Sequence, residues 1–383
     1  MTGSALTFRN GRIFDGVRFY DNHHIRFEND RFVSLEQDRG SITSGDVVDL
    51  AGDILFPGFV DLQVNGGDGV QFNSNPSVET LERIAKAHRS LGVTAFLPTL
   101  ITDSLEKTNA AISAACAAIT RGVPGIAGLH LEGPHLSITR KGAHDASLIR
   151  RMDASDLESL LVAAQKLPLL KVTVAPENVT EEQVRRLADA GVLVSLGHTD
   201  ADYATCRRYF KSGARCVTHL FNAMSQLGNR EPGLVGAALA DGTVSSGLIA
   251  DAVHVHPETI AAAWRAKAGP GRIFLVSDAM AVAGSQSTEF ELGGRKIRRD
   301  NGILTLADGT LAGADLDLAT AARTMVNQVG ISPLLALEAA TSIPARLIGL
   351  DYGFNDLSNV VRLASDFSSV KVLRETCDAD ARA

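Results

Sequence analysis

Acidic residues and histidines recur where short apolar stretches of the sequence end. Glu132 follows "GLHL", His198 follows "LVSLG", His219 follows "ARCVT" and Asp278 follows "IFLVS". Two neutral imidazoles and one carboxylate match the protein ligands of a catalytic zinc-type site, which leaves a fourth position for water. The sequence therefore predicts a metal ion on Glu132, His198 and His219. A carboxylate within hydrogen-bond reach of that water can take its proton and pass it to a leaving group, so Asp278 is predicted as the general base.

The stretch "FVDLQVNGGDG" places further polar side chains on one strand. Its alternation puts Asp61, Gln63 and Asn65 on the same face. Three neighbouring polar side chains are costly to bury without partners. Gln63 and Asn65 therefore face either a site or satisfied polar groups of the core. His130 is in phase with Glu132, and we interpret it as a core residue or as a support behind the site.

The elements that must position these residues alternate between strand and helix from residue 58 to residue 345. Short apolar stretches such as "GVTAFLPT" and "LKVTVAPE" alternate with helical ones such as "VETLERIAKAHRSLG". Repeated units of this kind predict a parallel sheet, and so many of them favour a closed, TIM-like (β/α)8 barrel. The alternative is a doubly wound open sheet. No GxGxxG follows the first strand, which disfavours that alternative.

Both ends of the chain are strand-like and lack the strand–helix alternation of the barrel. Residues 1–57 contain hairpin signals such as Asn10-Gly11, and residues 346–383 are again strand-like. We predict that these two segments form one small β-sandwich domain beside the barrel. Residues 284–309 carry further turn signals, which predict an inserted β-hairpin or small meander on the catalytic face of the barrel.

Composition excludes several classes of protein. A formal net charge of −7 and an isoelectric point near 5.8 give no reason to expect binding to nucleic acid. No apolar stretch is long enough for a membrane helix, and the start lacks the apolar core of a signal peptide. The four cysteines are too few for a disulfide framework and form no CxxC pair. We therefore expect a cytoplasmic protein that does not contact a membrane.

Several motifs together resemble a known family. They are "PGFVDLQVNGG", "HLEGPHL", "KGAH", "SLGHTDA", "THLFNAM", "REPGLVGAAL" and "VSDAM". In this order they resemble the N-acetylglucosamine-6-phosphate deacetylases of the amidohydrolase superfamily. The resemblance extends from about residue 7 to residue 345. "HLEGP" and "THLFNAM" are its most specific parts.

The resemblance implies one metal ion per chain. Many amidohydrolases carry His-x-His on the first strand and hold a second metal there, whereas this chain has Gln63-x-Asn65. Amides are poor zinc ligands beside imidazole and carboxylate, but they can hydrogen-bond the bound water or the acetamide of the substrate. Zinc is the expected metal, and iron(II), cobalt and manganese are the alternatives that such a ligand set also accepts.

The resemblance also implies how a phosphorylated amino sugar is held. Asn222 and Ala223 match residues whose backbone N–H groups receive the phosphate, and Arg230 matches a phosphate-binding arginine. His144 and His254 match histidines that contact the sugar or its amide. The loop that closes over the acetyl group corresponds to Leu311, Ala312 and Gly313. A homodimer is expected, in which Arg230 or His254 acts within its own subunit or in the neighbouring one.

The implied reaction is metal-dependent deacetylation of N-acetyl-D-glucosamine 6-phosphate to D-glucosamine 6-phosphate and acetate. The same chemistry on N-acetylgalactosamine 6-phosphate is the nearest alternative. A cyclic-amide or aminoacyl hydrolase is a second alternative, although these usually carry two metals. A non-catalytic barrel is a third, which the retained ligands and Asp278 disfavour.

Overall fold

The structure is a computed structural model that describes residues 5–40 and 45–374. Eight parallel strands lie side by side in chain order. They are β1 (Phe59–Val64), β2 (Val93–Ile101), β3 (Leu129–Glu132), β4 (Leu170–Val174), β5 (Leu193–Leu196), β6 (Cys216–Val217), β7 (Ser245–Leu248) and β8 (Ile273–Leu275). Their buried, near-continuous apolar residues are typical of a parallel sheet that is covered on both faces.

A helix follows every strand. The eight helices are Val78–Ser90, Leu105–Thr120, Ala154–Lys166, Glu181–Asp189, Tyr203–Lys211, Gly233–Ala240, Pro257–Ala266 and Leu318–Asn327. Two further helices, Pro333–Ala340 and Ser342–Leu347, complete the barrel segment. Most begin at a residue whose side chain accepts a backbone N–H of the first turn, as Ser77 and Asp153 do. The predicted (β/α)8 architecture is confirmed.

The barrel closes where β8 meets β1, which excludes the open doubly wound sheet. The N–H of Asp278 donates to the carbonyl of Gln63 (3.1 Å), and the N–H of Asn65 donates to the carbonyl of Ala279 (2.8 Å). The Asp61 carboxylate accepts from the N–H of Ser277 (3.2 Å). Closure thus places the amides of Gln63 and Asn65, which we call the amide pair, directly beside the predicted base Asp278.

Two smaller sheets lie outside the barrel, and the second of them joins strands from both ends of the chain. One contains Ala5–Arg9, His23–Glu28, Arg31–Gln37 and Asp46–Asp49, and the other contains Arg12–Phe14, Phe19–Tyr20, Ile54–Phe56, Val361–Leu363 and Val370–Val372. They enclose a separate apolar cluster that includes Phe8, Phe27 and Leu55. The domain boundaries at 57 and 346 stay predictions, and residues 1–4, 41–44 and 375–383 lie outside the described part.

Three antiparallel strands intervene between β8 and the helix Leu318–Asn327. Their bounds are Glu289–Leu292, Arg295–Asp300 and Ile303–Thr305. Leu292, Ile297 and Leu304 pack with Ile101 and Met280 in a small apolar cluster. The insertion therefore lies on the same end of the barrel as the ends of β2 and β8.

Within the described residues, none of the helices has the length and apolar character needed to cross a membrane.

The buried Asp61, at the junction of β8 and β1, predicts how the stability of the barrel depends on pH. Burial raises the pKa of Asp61 to about 7. A carboxyl group whose pKa is higher in the folded than in the unfolded chain makes the fold less stable as pH rises between these two values. The D61N variant keeps an acceptor for the N–H of Ser277 but cannot ionise. Raising the pH from about 4.5 to about 7 should therefore lower the free energy of unfolding of the wild type by about 3 kcal/mol more than that of D61N. Urea titrations at both pH values measure this, and equal pH dependences would contradict it.

Candidate active site

A cavity of about 270 Å³ opens at the carboxyl ends of the barrel strands. Glu132, His198, His219 and Asp278 all line it, and all four are buried. They come from the ends of β3, β5, β6 and β8, which a parallel barrel directs toward one bowl. The structure thus brings the predicted metal ligands and the predicted base into one cavity.

Three potential ligand atoms form a close triangle in this cavity. His198 Nε2 and His219 Nε2 each lie 3.1 Å from Glu132 Oε1, and the two nitrogens lie 3.1 Å from each other. Ligands bound at 2.0–2.1 Å in a tetrahedral zinc site are roughly 3.3 Å apart. Atoms that carry lone pairs repel at this distance unless a proton or a cation lies between them. The donor types and their spacing therefore fit a divalent metal ion.

The outer nitrogen of His198 is fixed by the backbone. His198 Nδ1 lies 2.8 Å from the carbonyl oxygen of Arg140. Because a carbonyl can only accept, Nδ1 carries a ring hydrogen, and Nε2 is the nitrogen that faces the site. Metal-binding histidines usually make such an outer hydrogen bond. For His219, in contrast, the described residues offer Nδ1 no partner.

Glu132 is ionised in this environment. Burial raises the pKa of its carboxyl group, but the hydrogen bonds and charges of His198 and His219 outweigh burial, so the pKa lies well below its usual range. A carboxylate must be deprotonated to bind a metal ion. Glu132 is therefore in its metal-binding form.

Gln63 and Asn65 face the two carboxylates of the site. Gln63 Nε2 donates to Asp278 Oδ1 (3.0 Å) and to Glu132 Oε2 (3.3 Å), and Asn65 Nδ2 donates to Asp278 Oδ1 (2.7 Å). The opposite ends of these amides, Gln63 Oε1 and Asn65 Oδ1, are buried and have no partner among the described residues. Both amides thus direct their N–H groups to Asp278 and keep an acceptor oxygen.

The surroundings of Asp278 favour its protonated form more than those of an ordinary aspartate. Burial and the nearby charge of Glu132 raise its pKa. The pKa of Glu132 is shifted in the opposite direction. Two carboxyl groups whose pKa values are pushed apart are typical of a site where one stays charged and the other transfers protons.

His144 is a neutral hydrogen-bond donor beside the metal ligands. Its Nδ1 accepts from the backbone N–H of Thr102 (3.3 Å), so the ring hydrogen lies on Nε2. Burial, together with the neighbouring His198, lowers the pKa of His144 to about 3. The ring centroids of His144 and His198 are 4.4 Å apart.

The predicted sugar- and phosphate-binding residues are only partly brought together. His254, Asn222 and Ala223 line the cavity, but the N–H of Asn222 already donates to the carbonyl of His219 (2.9 Å). Arg230 is exposed and is not among the residues that line the cavity. The phosphate-binding roles of Asn222, Ala223 and Arg230 therefore stay predictions.

The predicted acetyl loop forms part of the cavity wall. Leu311, Ala312 and Gly313 all line the cavity. Gly313 has a φ of 69°, and a Cβ atom there would lie 2.5 Å from Met280 Sδ. A larger residue would be strained and would collide with Met280, so only glycine lets this loop approach the segment after β8 so closely.

Three site residues have an unusual backbone conformation. His198, His219 and Asp278 have φ values of 48°, 30° and 50°. Positive φ is uncommon for residues other than glycine and occurs often at functional sites. At these positions each strand ends, and the turned backbone directs the side chain into the cavity.

The comparisons with known proteins agree with this geometry. Residues 54–354 match the sequence profile described as the amidohydrolase family. The chain belongs to the amidohydrolase family. The resemblance predicted from the motifs is confirmed, and so is the prediction that the chain is a hydrolase of this family.

Two relatives and one solved structure show how close this amidohydrolase is to known members. It is 44% identical to an N-acetylgalactosamine-6-phosphate deacetylase of Shewanella sp. (strain ANA-3) over 78% of this chain and 75% of that protein. It is 35% identical to the N-acetylglucosamine-6-phosphate deacetylase of Bos taurus over 90% of this chain and 83% of the relative. The crystal structure of N-acetylglucosamine-6-phosphate deacetylase from Pasteurella multocida superposes with a TM-score of 0.88 at 30% identity, covering 96% and 97% of the two chains.

Sequence reasoning missed several partners of the site in this amidohydrolase. The Asp251 carboxylate lies 2.6 Å from His254 Nδ1 and fixes that ring. Thr102 sets the tautomer of His144, and the carbonyl of Arg140 sets that of His198. The three-residue spacing of Asp251 and His254 was a usable signal. A hydrogen bond to a backbone carbonyl, however, cannot be predicted from the residue types.

The ligand triangle generates a prediction about metal content. Elemental analysis of the purified amidohydrolase should find about one divalent metal ion per chain, because the described donor set provides three ligands. The variants E132Q, H198A and H219A should each lose most of it. H256A, which removes a histidine outside the cavity, should keep the full amount. Two metal ions per chain would contradict the interpretation of Gln63 and Asn65, and full occupancy in any one ligand variant would remove that residue from the set.

Proposed function

We propose that the protein deacetylates an N-acetylated amino sugar 6-phosphate, with N-acetyl-D-glucosamine 6-phosphate as the substrate and D-glucosamine 6-phosphate and acetate as products. One observation carries the proposal: a triangle of metal-ligand atoms lies beside a carboxylate that two amides hold in place. The names of the similar proteins from Bos taurus and Pasteurella multocida support the substrate.

Glu132, His198 and His219 would hold the metal ion. When bound there, a divalent metal lowers the pKa of a water molecule and polarises the acetyl carbonyl. Zinc suits two imidazoles and a carboxylate, and iron(II), cobalt and manganese remain the alternatives.

Asp278 carries the proton transfers. Its Oδ1 accepts from both Gln63 and Asn65, so Oδ2 is the oxygen that takes the proton of the attacking water. The same oxygen then delivers this proton to the nitrogen of the departing amino sugar. A raised pKa suits both steps, because it brings the carboxyl group nearer to the pH at which it can accept and release a proton.

His144 and Asn65 orient the acetamide group. The neutral ring of His144 carries its hydrogen on Nε2 and donates it to the carbonyl oxygen, where negative charge develops. The unpartnered Asn65 Oδ1 accepts the amide N–H of the substrate. Leu311, Ala312 and Gly313 enclose the acetyl methyl group, and His254, held by Asp251, contacts the sugar.

Asn222, Ala223 and Arg230 bind the phosphate in this proposal. Because Arg230 is exposed and away from the cavity of its own chain, it acts in the neighbouring subunit of a homodimer. A guanidinium group matches the paired oxygens of a phosphate. The homodimer and the cytoplasmic location stay predictions.

N-acetylgalactosamine 6-phosphate is the second candidate substrate. The Shewanella relative named for that sugar is 44% identical to this chain, which exceeds the 35% of the Bos taurus protein. The two sugars differ only in the configuration at one hydroxyl group, so the same site could process either.

The base assignment predicts the behaviour of D278N. This variant should keep its metal ion, because Asp278 is not in the ligand triangle. Its kcat should fall roughly 10²–10⁴-fold, because asparagine cannot accept the proton. Acetate release on N-acetyl-D-glucosamine 6-phosphate and elemental analysis measure the two effects. D241N, which breaks an ion pair with Arg207 away from the cavity, is the matched control. A kcat near that of the wild type in D278N would exclude Asp278 as the base.

The choice of sugar predicts a ratio of kcat/KM values. N-acetyl-D-glucosamine 6-phosphate should be deacetylated with a kcat/KM roughly 10-fold or more above that of its galactosamine counterpart, since a site that hydrogen-bonds a hydroxyl rejects the misplaced one. Acetate release from both sugars under the same conditions gives the ratio. The reverse ratio would assign the galactosamine substrate, and turnover of neither sugar by the metal-loaded protein would reject the proposed function.

A further inference from the structure

Beneath the ligand triangle the barrel interior is polar. Barrel interiors are usually filled with layers of branched apolar side chains. Here five polar residues, none of them exposed to solvent, occupy one continuous region. This polar layer consists of Thr99, His130, Thr173, Ser195 and Thr218.

The members of the polar layer are joined by hydrogen bonds across the barrel. Thr218 Oγ1 lies 2.7 Å from both Ser195 Oγ and Thr173 Oγ1. His130 Nε2 lies 2.7 Å from Thr173 Oγ1, and His130 Nδ1 lies 3.2 Å from Thr99 Oγ1. The polar layer therefore connects five strands, from β2 to β6.

One direction of donation satisfies every member. Ser195 donates to Thr218, Thr218 donates to Thr173, and Thr173 donates to His130 Nε2. His130 Nδ1–H then donates to Thr99, whose hydroxyl donates to the backbone carbonyl of Leu97 (3.2 Å). Each hydroxyl has one hydrogen and each neutral imidazole has one donor and one acceptor, so the chain uses all of them. Such a fully satisfied buried network rigidifies a core.

The polar layer is attached to each ligand through the backbone. His130 lies two residues before Glu132, Thr218 directly precedes His219, and Ser195 lies three residues before His198. Thr99 Oγ1 also accepts the N–H of Val64, the residue between Gln63 and Asn65 (3.1 Å). The network thus reaches the strand end of every ligand and the strand of the amide pair.

We propose that the polar layer holds the metal ligands in register, with Thr218, Thr173 and His130 as positioning residues. The inference rests on the proposed metal site. An apolar layer could keep the barrel folded, but it would provide no directional bonds between the strands. The triangle of ligand atoms has sides of 3.1 Å, so a small shift of one strand would change the distances that a metal ion requires. Replacing a group that is hydrogen-bonded directly to a metal ligand typically changes metal affinity or activity 10–100-fold, and the polar layer acts on the ligands through the backbone of their strands.

The variant T218V tests this inference, because valine has nearly the shape of threonine but cannot bond Thr173 or Ser195. The probe is Co²⁺ added to metal-depleted protein. The visible spectrum reports ligand geometry, and competition with a chelator reports affinity. We expect a changed Co²⁺ spectrum, an affinity roughly 10-fold or more below that of the wild type, and a lower kcat with KM within about 2-fold.

T341V is the matched control. Thr341 is also fully buried, and its hydroxyl donates to the carbonyl of Leu337 (2.6 Å), away from the polar layer. The T341V variant loses one buried hydroxyl group, so its free energy of unfolding should change as in other substitutions of a core threonine by valine. Its Co²⁺ spectrum and affinity should match those of the wild type. Equal losses of affinity in T341V and T218V would overturn the inference.

A second variant keeps the test decisive if T218V does not fold. T173V breaks the bonds to His130 and Thr218 and should have the same effects on spectrum and affinity. Wild-type spectrum and affinity in whichever of the two variants folds would overturn the inference while leaving the proposed function intact. Failure of the wild type itself to bind Co²⁺ would overturn the proposed function, and the inference with it.

Discussion

The amide of Gln63 bridges two buried carboxylates, and the rest of the site depends on this bridge. Its Nε2 donates to Asp278 Oδ1 and to Glu132 Oε2. Two negative charges in a site of low polarity repel each other, which favours a proton on one of them. The neighbouring histidines favour the charged form of Glu132, whereas burial raises the pKa of Asp278, which suits the proton transfers proposed for it.

This arrangement explains why the first strand carries amides. An amide has both N–H donors and an acceptor oxygen, so it can satisfy two carboxylates without adding charge. It also turns Glu132 so that only Oε1 faces the histidines. A carboxylate at position 63 would add a third negative charge beside Glu132 and Asp278. The closure of β8 on β1 is the condition for the whole arrangement, because it brings Asp278 beside residues more than two hundred positions earlier.

The sequence allowed the barrel to be predicted, and with it the grouping of the candidate ligands and Asp278 in one cavity, because both depend on local patterns. Strand–helix alternation predicts the barrel, and the parallel barrel then places Glu132, His198 and His219 at one end. The partners across the barrel could not be predicted in this way. Periodicity shows that Gln63 and His130 point inward, but not that Gln63 meets Asp278 or that His130 joins Thr99 to Thr173. Those pairings depend on strand register and tilt, which are set by the packing of the whole barrel.

The five-stranded sheet outside the barrel has a consequence for biosynthesis. Its strand Ile54–Phe56 pairs with Val361–Leu363, so the entire barrel segment lies between these partners in the sequence. During synthesis Arg12–Phe14 can pair with one edge of Ile54–Phe56, but the other edge has no partner until the late strand has been made. Long-range pairings of this kind form slowly and leave strand edges open to aggregation. The five-stranded sheet can therefore be completed only after the whole barrel segment has been synthesised.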